Sequence, residues 1–325
     1  MPGDVVLEVR DLHTYFFNRR GVLKAVDGVN FRLRRGETLG LVGESGCGKS
    51  MTALSLVQLV PRPAARIVQG EILLEGENLL SKTPLEMRQI RGRRIAMILQ
   101  DPQTSLNPVF TIGNQLIEAF TVHQRHPLRA LRHLAEDVLR RVKVAAPARR
   151  LDDFPHQMSG GMKQRVVGAI AISGTPQVLI ADEPTTALDV TIQLQYLKLL
   201  KDIQADTQMA LLFITHDFGI VARMCDRVAV MYAGRIVEEG PVLQVFRHPS
   251  HPYTQALMAS VPKMDEKVEY LAAIDGQPPA LDALPPGCRF APRCAHSETR
   301  CTQQYPPTFT VQTDHTAACW RLETP

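Results

Sequence analysis

The chain has 325 residues, of which 45% are hydrophobic and 22% are charged, enough for one large domain or about two ordinary ones. This composition excludes a disordered chain, a fibrous protein and a disulfide-rich mini-protein. Lysine and arginine number 37 against 33 aspartates and glutamates, so the formal net charge is +4. Because no segregated basic block is present, we expect no nucleic-acid partner.

Membrane insertion and secretion are not indicated by the sequence. No apolar run reaches the ~18 residues that a membrane-spanning helix needs. The N-terminal residues MPGDVVLEVRD lack the charged-then-apolar order of a secretory signal. We expect a protein of the cytosol, or one that rests on a membrane through another chain.

The chain begins with alternating apolar and polar side chains over residues 5–10 and 22–33, which predict an antiparallel layer. Apolar runs of strand length follow, with helical patterns between several of them, at residues 38–42, 95–99, 178–181, 211–215 and 228–232. This order is typical of an α/β fold with a mainly parallel sheet.

Two further regions differ from this core. From Pro102 to Pro176 the strand signal disappears, and apolar side chains recur at helical spacing, which predicts an inserted helical subdomain over about residues 102–176. From about Pro249 the chain becomes rich in proline and cysteine. We therefore expect a main domain over residues 1–248 and a separate appendage over residues 249–325.

Residues 43–50 read Gly-Glu-Ser-Gly-Cys-Gly-Lys-Ser and fit G-x-x-x-x-G-K-S between a predicted strand and a predicted helix. Glycines let backbone N–H groups converge on phosphates, and the helix start adds partial positive charge. Lys49 supplies a charge for the β- and γ-phosphates, and Ser50 can hold Mg2+. The motif predicts a nucleotide site formed by Gly43, Ser45, Gly46, Cys47, Gly48, Lys49, Ser50 and Met51.

Asp182 and Glu183 end an apolar run, where an open α/β sheet exposes its strand ends to ligands. Asp182 suits the metal, directly or through water, and Glu183 is placed to polarise the water that attacks the γ-phosphate. The alternative is that both acids only cap the following helix. Beside a phosphate loop, the pair indicates nucleotide hydrolysis.

Four further motifs lie in chain order with the phosphate loop and the acid pair: Gln100 after a strand, residues 158–162, residues 187–189, and His216. Ser159, Gly160 and Gly161 alone indicate only an N-capped helix start. Together with residues 43–50, Asp182 and Glu183, these motifs resemble those of the ATP-binding subunit of an ATP-binding-cassette (ABC) transporter, in which Ser159, Gly160 and Gly161 belong to the family's signature. The resemblance covers nearly the whole chain. It implies an ABC-type nucleotide-binding domain with a mainly parallel core, an antiparallel β subdomain and an inserted helical subdomain.

The resemblance also implies roles for single residues. Gln100 senses Mg2+ and the transmembrane partner, Asp189 lies in the loop that links two nucleotide sites, and His216 contacts the γ-phosphate of ATP. Ser159, Gly160 and Gly161 bind ATP held by the phosphate loop of a second ABC ATPase subunit, for which we expect a paralogue.

Three features depart from the family pattern or leave a choice. Met158 and Met162 replace the ends of the usual Leu-Ser-Gly-Gly-Gln signature, but the three residues that approach phosphate are kept. Among the aromatic residues 15–17, the offset from Leu12 favours Phe16 as the side chain that stacks on adenine. Cys47 lies beside a helix N-terminus, so it is either redox sensitive or simply a small residue that fits.

Residues 251–257 and 287–294 resemble the C-terminal extension of peptide-importer ATPases. The resemblance implies an ATPase that drives import of oligopeptides or dipeptides at the cytoplasmic face of the membrane. Its partners would be two transmembrane permease subunits and, indirectly, an extracytoplasmic peptide-binding protein. The alternatives are a nickel-importer ATPase with a related tail, a soluble ABC ATPase, and a non-hydrolysing regulatory subunit, against which Glu183 and His216 argue.

Four cysteines, Cys288, Cys294, Cys301 and Cys319, lie in the proline-rich tail. Their spacing fits neither the common zinc pattern nor a ferredoxin run, so zinc, an iron–sulfur cluster and free thiols all stay open, with His296 and His315 as substitute ligands. The tail has few large apolar residues, and a metal would supply its folding energy. Peptide-importer ATPases with a similar tail hold a 4Fe-4S cluster there, and the resemblance favours that cluster, in a structural role, over Zn2+.

Overall fold

The computed structural model describes residues 4–19, 21–123, 126–186, 188–260 and 274–323, except for the side chains of residues 102 and 103. The chain divides into two compact units. The first comprises Met1–Leu7, Leu33–Thr38 and Leu73–Ile214, and the second comprises Glu8–Arg32, Leu39–Ile72 and Thr215–Pro325. None of the described helices is long and apolar enough to cross a membrane.

Strands alternate with helices through most of the described chain. The strands are β1 (Val5–Asn18), β2 (Gly21–Arg34), β3 (Thr38–Val42), β4 (Ala65–Leu74), β5 (Glu77–Asn78), β6 (Ile95–Ile98), β7 (Val178–Asp182), β8 (Ala210–Ile214), β9 (Arg227–Tyr232), β10 (Arg235–Pro241), β11 (Phe309–Gln312) and β12 (His315–Ala317). The helices are α1 (Lys49–Leu56), α2 (Pro84–Ile90), α3 (Pro102–Ser105), α4 (Ile112–Thr121), α5 (Leu128–Arg141), α6 (Pro147–Arg150), α7 (Gly160–Ile172), α8 (Val190–Thr207), α9 (Phe218–Met224), α10 (Val242–Arg247), α11 (Pro252–Ala259) and α12 (Thr299–Gln303).

The core of the first unit is a parallel ladder of β6, β7 and β8. Ile98 is opposite Ala181, and Asp182 is opposite Ile214. Every residue of β7 and β8 is buried, as expected for parallel strands that are covered on both faces. The described residues between 102 and 176 form helices α3 to α7 and turns. Residues that follow β6 and β7 therefore emerge at one edge of the sheet.

In the second unit, β3 pairs in parallel with β9, with Val42 opposite Val230. Strand β10 returns antiparallel to β9, and β12 and β11 follow as further antiparallel strands. The proline-rich tail thus adds two strands to the edge of this sheet. The sequence interpretation treated the tail as a stretch that hardly buries a core unaided. The structure instead buries Phe290, Ala317 and Ala318 within the second unit.

The predicted strands are confirmed at all five apolar runs, with ends that differ by no more than a residue. Strands β4, β10, β11 and β12 were not predicted, because polar residues interrupt their apolar pattern. In β10, the adjacent Glu238 and Glu239 are typical of a solvent-exposed loop in the sequence. In the structure, however, Glu238 is only 1% exposed. A buried carboxylate needs partners, and those partners come from distant parts of the chain.

Candidate functional site

The loop after β3 depends on glycines with left-handed backbone torsions. The φ angles of Gly43, Gly46 and Gly48 are +151°, +78° and +111°. A Cβ atom added to Gly43 would lie 2.1 Å from the carbonyl oxygen of Met231, and one added to Gly48 would lie 2.2 Å from that of Ala25. The loop is therefore pressed against the backbones of two strands, and a side chain at either position does not fit.

Lys49 begins α1 and folds back over the loop. Its side chain is buried, and Nζ donates to the carbonyl oxygens of Gly43 at 2.8 Å and Glu44 at 3.0 Å. Gly48 caps the helix and offers no side-chain acceptor to the first-turn N–H groups. An ammonium group and open helix donors thus converge on one concave loop, the arrangement that binds phosphate. Ser50 follows Lys49 in the first turn of α1.

Cys47 is buried in this loop, 5% exposed. Burial raises the pKa of its thiol, although the nearby Lys49 ammonium acts in the opposite direction. Since the thiolate is the reactive form, the structure supports the interpretation of Cys47 as a small packed residue rather than a redox-sensitive one.

The carboxylates of the first unit lie where the sheet edge predicts. Asp182, the last residue of β7, is 3% exposed. The next residue, Glu183, has a φ of +45°, and its N–H donates to the carbonyl oxygen of Ile214 at 2.9 Å. Its Oε2 accepts hydrogen bonds from Gln100 Nε2 at 3.0 Å and from Thr186 Oγ1 at 3.1 Å. Gln100 and Glu183 are therefore brought together, and the direction of the Glu183 carboxylate is fixed by two donors.

Ser159 caps α7, where its Oγ accepts from the N–H of Met162 at 3.4 Å. Gly160 is exposed, and an added Cβ there would have no described atom within 4 Å, whereas one at Gly161 would lie 2.7 Å from Ile192 Cγ2. Packing against α8 thus explains the glycine at 161 but not the one at 160. The start of α7 presents an open surface made of a serine and a glycine.

Of three other predicted residues, two have clear local roles and one is exposed. Asp189 caps α8, and its Oδ1 accepts from the N–H of Ile192 at 3.0 Å. Met158 is buried, so an apolar side chain suffices at that end of the signature. In the second unit, His216 is exposed just before α9.

The aromatic residues of β1 differ in their contacts. The Tyr15 hydroxyl donates to Asp27, and the guanidinium of Arg66 lies over the Phe17 ring at 5.1 Å. Phe16 is half-buried on the strand face that it shares with Leu12. Its stacking on adenine stays a prediction.

The four tail cysteines line a single pocket of the second unit, together with His251, His296 and Trp320. Burial raises the pKa of Cys288 to about 11 and also raises the pKa of Cys294 and of Cys319. Within the described ranges, however, no group of three or more histidine, cysteine, aspartate or glutamate side chains is arranged to hold a metal ion. The predicted metal-binding appendage is thus not seen as a formed site.

His315, the other candidate substitute ligand, lies elsewhere in the second unit. It does not line the cysteine pocket, and its Nε2 lies 2.8 Å from Glu238 Oε1 in the buried interior. His315 instead satisfies the carboxylate of β10, a role that its sequence neighbours did not indicate.

Two tail residues that contact the phosphate loop were missed. The hydroxyl of Tyr253 accepts from the N–H of Glu44 at 2.9 Å, and Arg293 pairs with the Glu44 carboxylate at 2.8 Å. Tyr253 and Arg293 lie 209 and 249 positions from Glu44 along the chain. No local pattern signals such a contact.

Comparisons with known proteins agree with this geometry. Residues 26–186 match the family model described as ABC transporter, and residues 237–301 match the one described as oligopeptide/dipeptide transporter, C-terminal region. A probable peptide ABC transporter ATP-binding protein of Sinorhizobium fredii is 50% identical over 98% of this chain and 96% of its own length. The dipeptide transport ATP-binding protein DppD of Bacillus subtilis is 48% identical over 97% and 94%, respectively.

Solved structures give the same fold. CbiO1 of Clostridium perfringens, part of the ABC transporter complex cbiONQ, is 27% identical, with a TM-score of 0.64 over 75% of this chain and 92% of its own. A dimeric ATP-binding cassette in a post-hydrolysis state, bound to ADP and Pi, has a TM-score of 0.65 at 24% identity, over 73% of this chain and 98% of its own. The second likeness bears on the fold alone.

The glycines of the phosphate loop provide a test of the close approach described above. We expect Gly43→Ala to lower the free energy of unfolding by more than about 3 kcal/mol, because the new Cβ meets the Met231 backbone. Gly46→Ala is the matched control: it has a positive φ but open space, and should cost only about 1 kcal/mol. Urea unfolding of the full chain measures both. Equal losses for the two variants would contradict the packing argument.

Proposed function

Because the chain belongs to the ATP-binding proteins of ABC transporters, we propose that it is the ATP-hydrolysing subunit that drives import of dipeptides or oligopeptides. The chain is an ABC ATPase, and the choice of peptide as substrate is carried by one observation: the match of residues 237–301 to the C-terminal region of oligopeptide/dipeptide transporters. Relatives at 48–50% identity over almost the full length are named for peptide transport. These names do not favour the nickel-importer or soluble-ATPase alternatives.

ATP and Mg2+ fit the residues that are present. The buried Lys49 ammonium and the open N–H groups at the start of α1 suit the β- and γ-phosphates. Gln100 and Asp182 in the first unit, and Ser50 in the second, each carry a hard oxygen atom of the kind that Mg2+ prefers. The metal would neutralise charge that develops on the phosphates.

Glu183 is the residue that we assign to the attacking water. Gln100 Nε2 and Thr186 Oγ1 both donate to its Oε2, so the carboxylate is held in a fixed direction. His216 would contact the γ-phosphate, and its exposure at the start of α9 is compatible with a ligand there. Both roles act on the γ-phosphate and its nucleophile.

The surface at Ser159 and Gly160 supports a site that is completed by a second ATPase subunit. Both residues are exposed, and packing within the described chain does not require a glycine at position 160. The close approach of a phosphate from outside would require one. We infer that Ser159, Gly160 and Gly161 contact ATP on the partner, and that Asp189 links the two sites.

The membrane partner is supported by apolar side chains near Gln100. Leu99, Val109 and Phe110 are 46%, 71% and 48% exposed, unusual for large apolar residues so close together in sequence. We propose that they dock two permease subunits at the cytoplasmic face of the membrane. A peptide-binding protein outside the cell would deliver the substrate to those subunits.

We propose that the cysteine pocket holds a 4Fe-4S cluster. All four cysteines line it, and burial raises the thiol pKa of Cys288, Cys294 and Cys319, so the pocket disfavours free thiolates. A 4Fe-4S cluster binds each of four thiolates to a different iron, which suits four cysteines around one pocket. Its role would be structural.

Glu183→Gln should keep ATP binding and lower turnover by ~100-fold or more, because the amide does not act as a base. Lys49→Ala should weaken ATP binding itself. Phosphate release and nucleotide titration on the full chain separate the two effects. Glu71→Gln, an exposed surface substitution, is the matched control. ATPase activity of Glu183→Gln at the level of the unaltered chain would contradict the assignment.

Ser159→Arg should block hydrolysis at the partner's site, and ATPase activity per chain should rise with protein concentration or with added partner. Thr111→Arg removes a comparable N-cap from α4 and serves as the control for capping alone. In a homodimer, a mixture of Ser159→Arg and Lys49→Ala chains should regain activity that neither has alone, since one site is then intact. Activity independent of both concentration and partner would refute the shared site.

Protein purified without oxygen should be brown and carry about four irons per chain. Cys294→Ser should lose the iron, whereas Cys225→Ser, a buried cysteine outside the pocket, should keep it. Metal analysis by mass spectrometry measures both. A colourless preparation with stoichiometric zinc, or with no metal, would decide against the cluster.

A further inference from the structure

The tail reaches the phosphate loop through a paired arginine and glutamate. Arg293 Nη1 lies 2.8 Å from Glu44 Oε2, and Arg293 Nη2 lies 3.0 Å from Glu44 Oε1. Two parallel N–H···O bonds of this kind fix the orientation of both side chains as well as joining their charges. Glu44 is the second residue of the phosphate loop, so the tail contacts the loop directly through this ion pair.

Arg293 is held in place on all sides. Its side chain is 4% exposed, its Nε donates to the carbonyl oxygen of Asp275 at 2.9 Å, and its Nη2 donates to that of Ile274 at 3.2 Å. Nη1 also lies 3.3 Å from the hydroxyl of Tyr232. A surface ion pair between mobile side chains contributes little, but this guanidinium is preorganised.

The backbone of Glu44 is held from the same side. Its N–H donates to the hydroxyl of Tyr253 at 2.9 Å, and Tyr253 is fully buried against Tyr232, with ring centroids 4.4 Å apart. The carbonyl oxygen of Glu44 in turn accepts from Lys49 Nζ. One loop residue therefore connects the tail to the lysine that meets the phosphates.

The tail segment that carries Arg293 has a second anchor. Arg289 is buried, and it donates to the carbonyl oxygen of Ala233 and to the carboxylate of Asp27. The N–H of Gly234, the residue after Ala233, donates to the carbonyl oxygen of Cys47 in the phosphate loop at 2.8 Å. Residues 289–293 are thus fixed at both ends next to the loop.

The charge of Glu44 explains why its pairing with Arg293 affects the nucleotide site. An unpaired carboxylate in a loop that receives a triphosphate would repel the ligand, and low local dielectric would strengthen that repulsion. Arg293 cancels this charge and holds the loop in the shape that presents Lys49. We propose that Arg293 is a positioning residue of the nucleotide site, supplied by the tail, which neutralises Glu44 and thereby sets the affinity for ATP. This inference rests on the proposed ATP-binding function and assigns the tail a part in it.

The test is titration of the full chain with MgATP at low and high salt. Arg293→Gln should bind ATP roughly tenfold more weakly at low salt, with a smaller difference at high salt, because screening weakens the repulsion by Glu44. The double variant Glu44→Gln/Arg293→Gln should recover most of that loss, since the repelling charge is gone. Arg293→Lys keeps the charge and should lie between Arg293→Gln and the unaltered chain.

Arg300→Gln is the matched control. Arg300 also pairs with a glutamate of the tail, Glu323, but both side chains are exposed and neither contacts the phosphate loop. Its ATP affinity should equal that of the unaltered chain. Circular dichroism and urea unfolding confirm that each variant is folded. If Arg293→Gln does not fold, Arg293→Lys is compared with the unaltered chain at low salt, since it keeps the charge but loses the two parallel hydrogen bonds; an unchanged ATP affinity would then count against the inference.

Two results would overturn the inference: an unchanged ATP affinity in folded Arg293→Gln, or a double variant that binds no better than Arg293→Gln alone. The latter would indicate that Arg293 acts only by shaping the loop. Failure of the unaltered chain to bind MgATP would count instead against the proposed function. The two failures are therefore distinguishable.

Discussion

The backbone of the phosphate loop lies against the backbones of two neighbouring segments, and this contact fixes where the loop presents its N–H groups. Met231 of β9 passes beside Gly43, and Ala25 of β2 passes beside Gly48, at distances that leave no room for a Cβ atom. The start of α1 is thereby aimed by two strands rather than by the loop itself. Because closely packed interiors do not deform continuously, the loop's N–H groups keep one direction before any nucleotide arrives. Such preorganisation is what phosphate binding at a helix N-terminus requires.

The second requirement of this unit is that its buried carboxylates have partners, and the tail provides many of them. Asp27 is bound by Arg289, and although burial raises the pKa of Asp27, the Tyr15 hydroxyl and Arg289 bring it below its ordinary value. Glu238 accepts from the N–H groups of Ser250 and His251 and from His315. A buried carboxylate without its partner costs several kcal/mol. The tail is therefore part of the unit's folding energy and not an addition to a finished domain.

Short sequence motifs predicted the nucleotide chemistry of the site. The features that the sequence did not predict depend on contacts between residues far apart in the chain. Glycine spacing identified the phosphate loop, and the end of an apolar run identified Asp182 and Glu183, because both signals depend on short stretches of chain. Strand β10 was missed since its glutamates look solvated until His315 is placed beside Glu238. The tail has few apolar residues, so the sequence suggested that it could hardly form a core of its own. In the structure, its strand β12 pairs with β10 at the edge of the existing sheet. No local sequence pattern predicts a contact between residues as far apart in the chain as Glu44 and Tyr253.

The cysteines lie next to both arginines that attach the tail to the rest of the second unit. Cys288 directly precedes Arg289, and Cys294 directly follows Arg293, so two cysteines of the pocket flank the segment whose arginines hold Asp27 and Glu44. A group that orders the cysteines also orders the arginines next to them. The loss of chain entropy on ordering this segment is then shared by the pocket and by the two arginines. Coupling of this kind is reciprocal, because a ligand that favours one ordered state stabilises everything that shares it. An occupant of the cysteine pocket that strengthens ATP binding through Arg293 must therefore itself be bound more tightly when ATP is present.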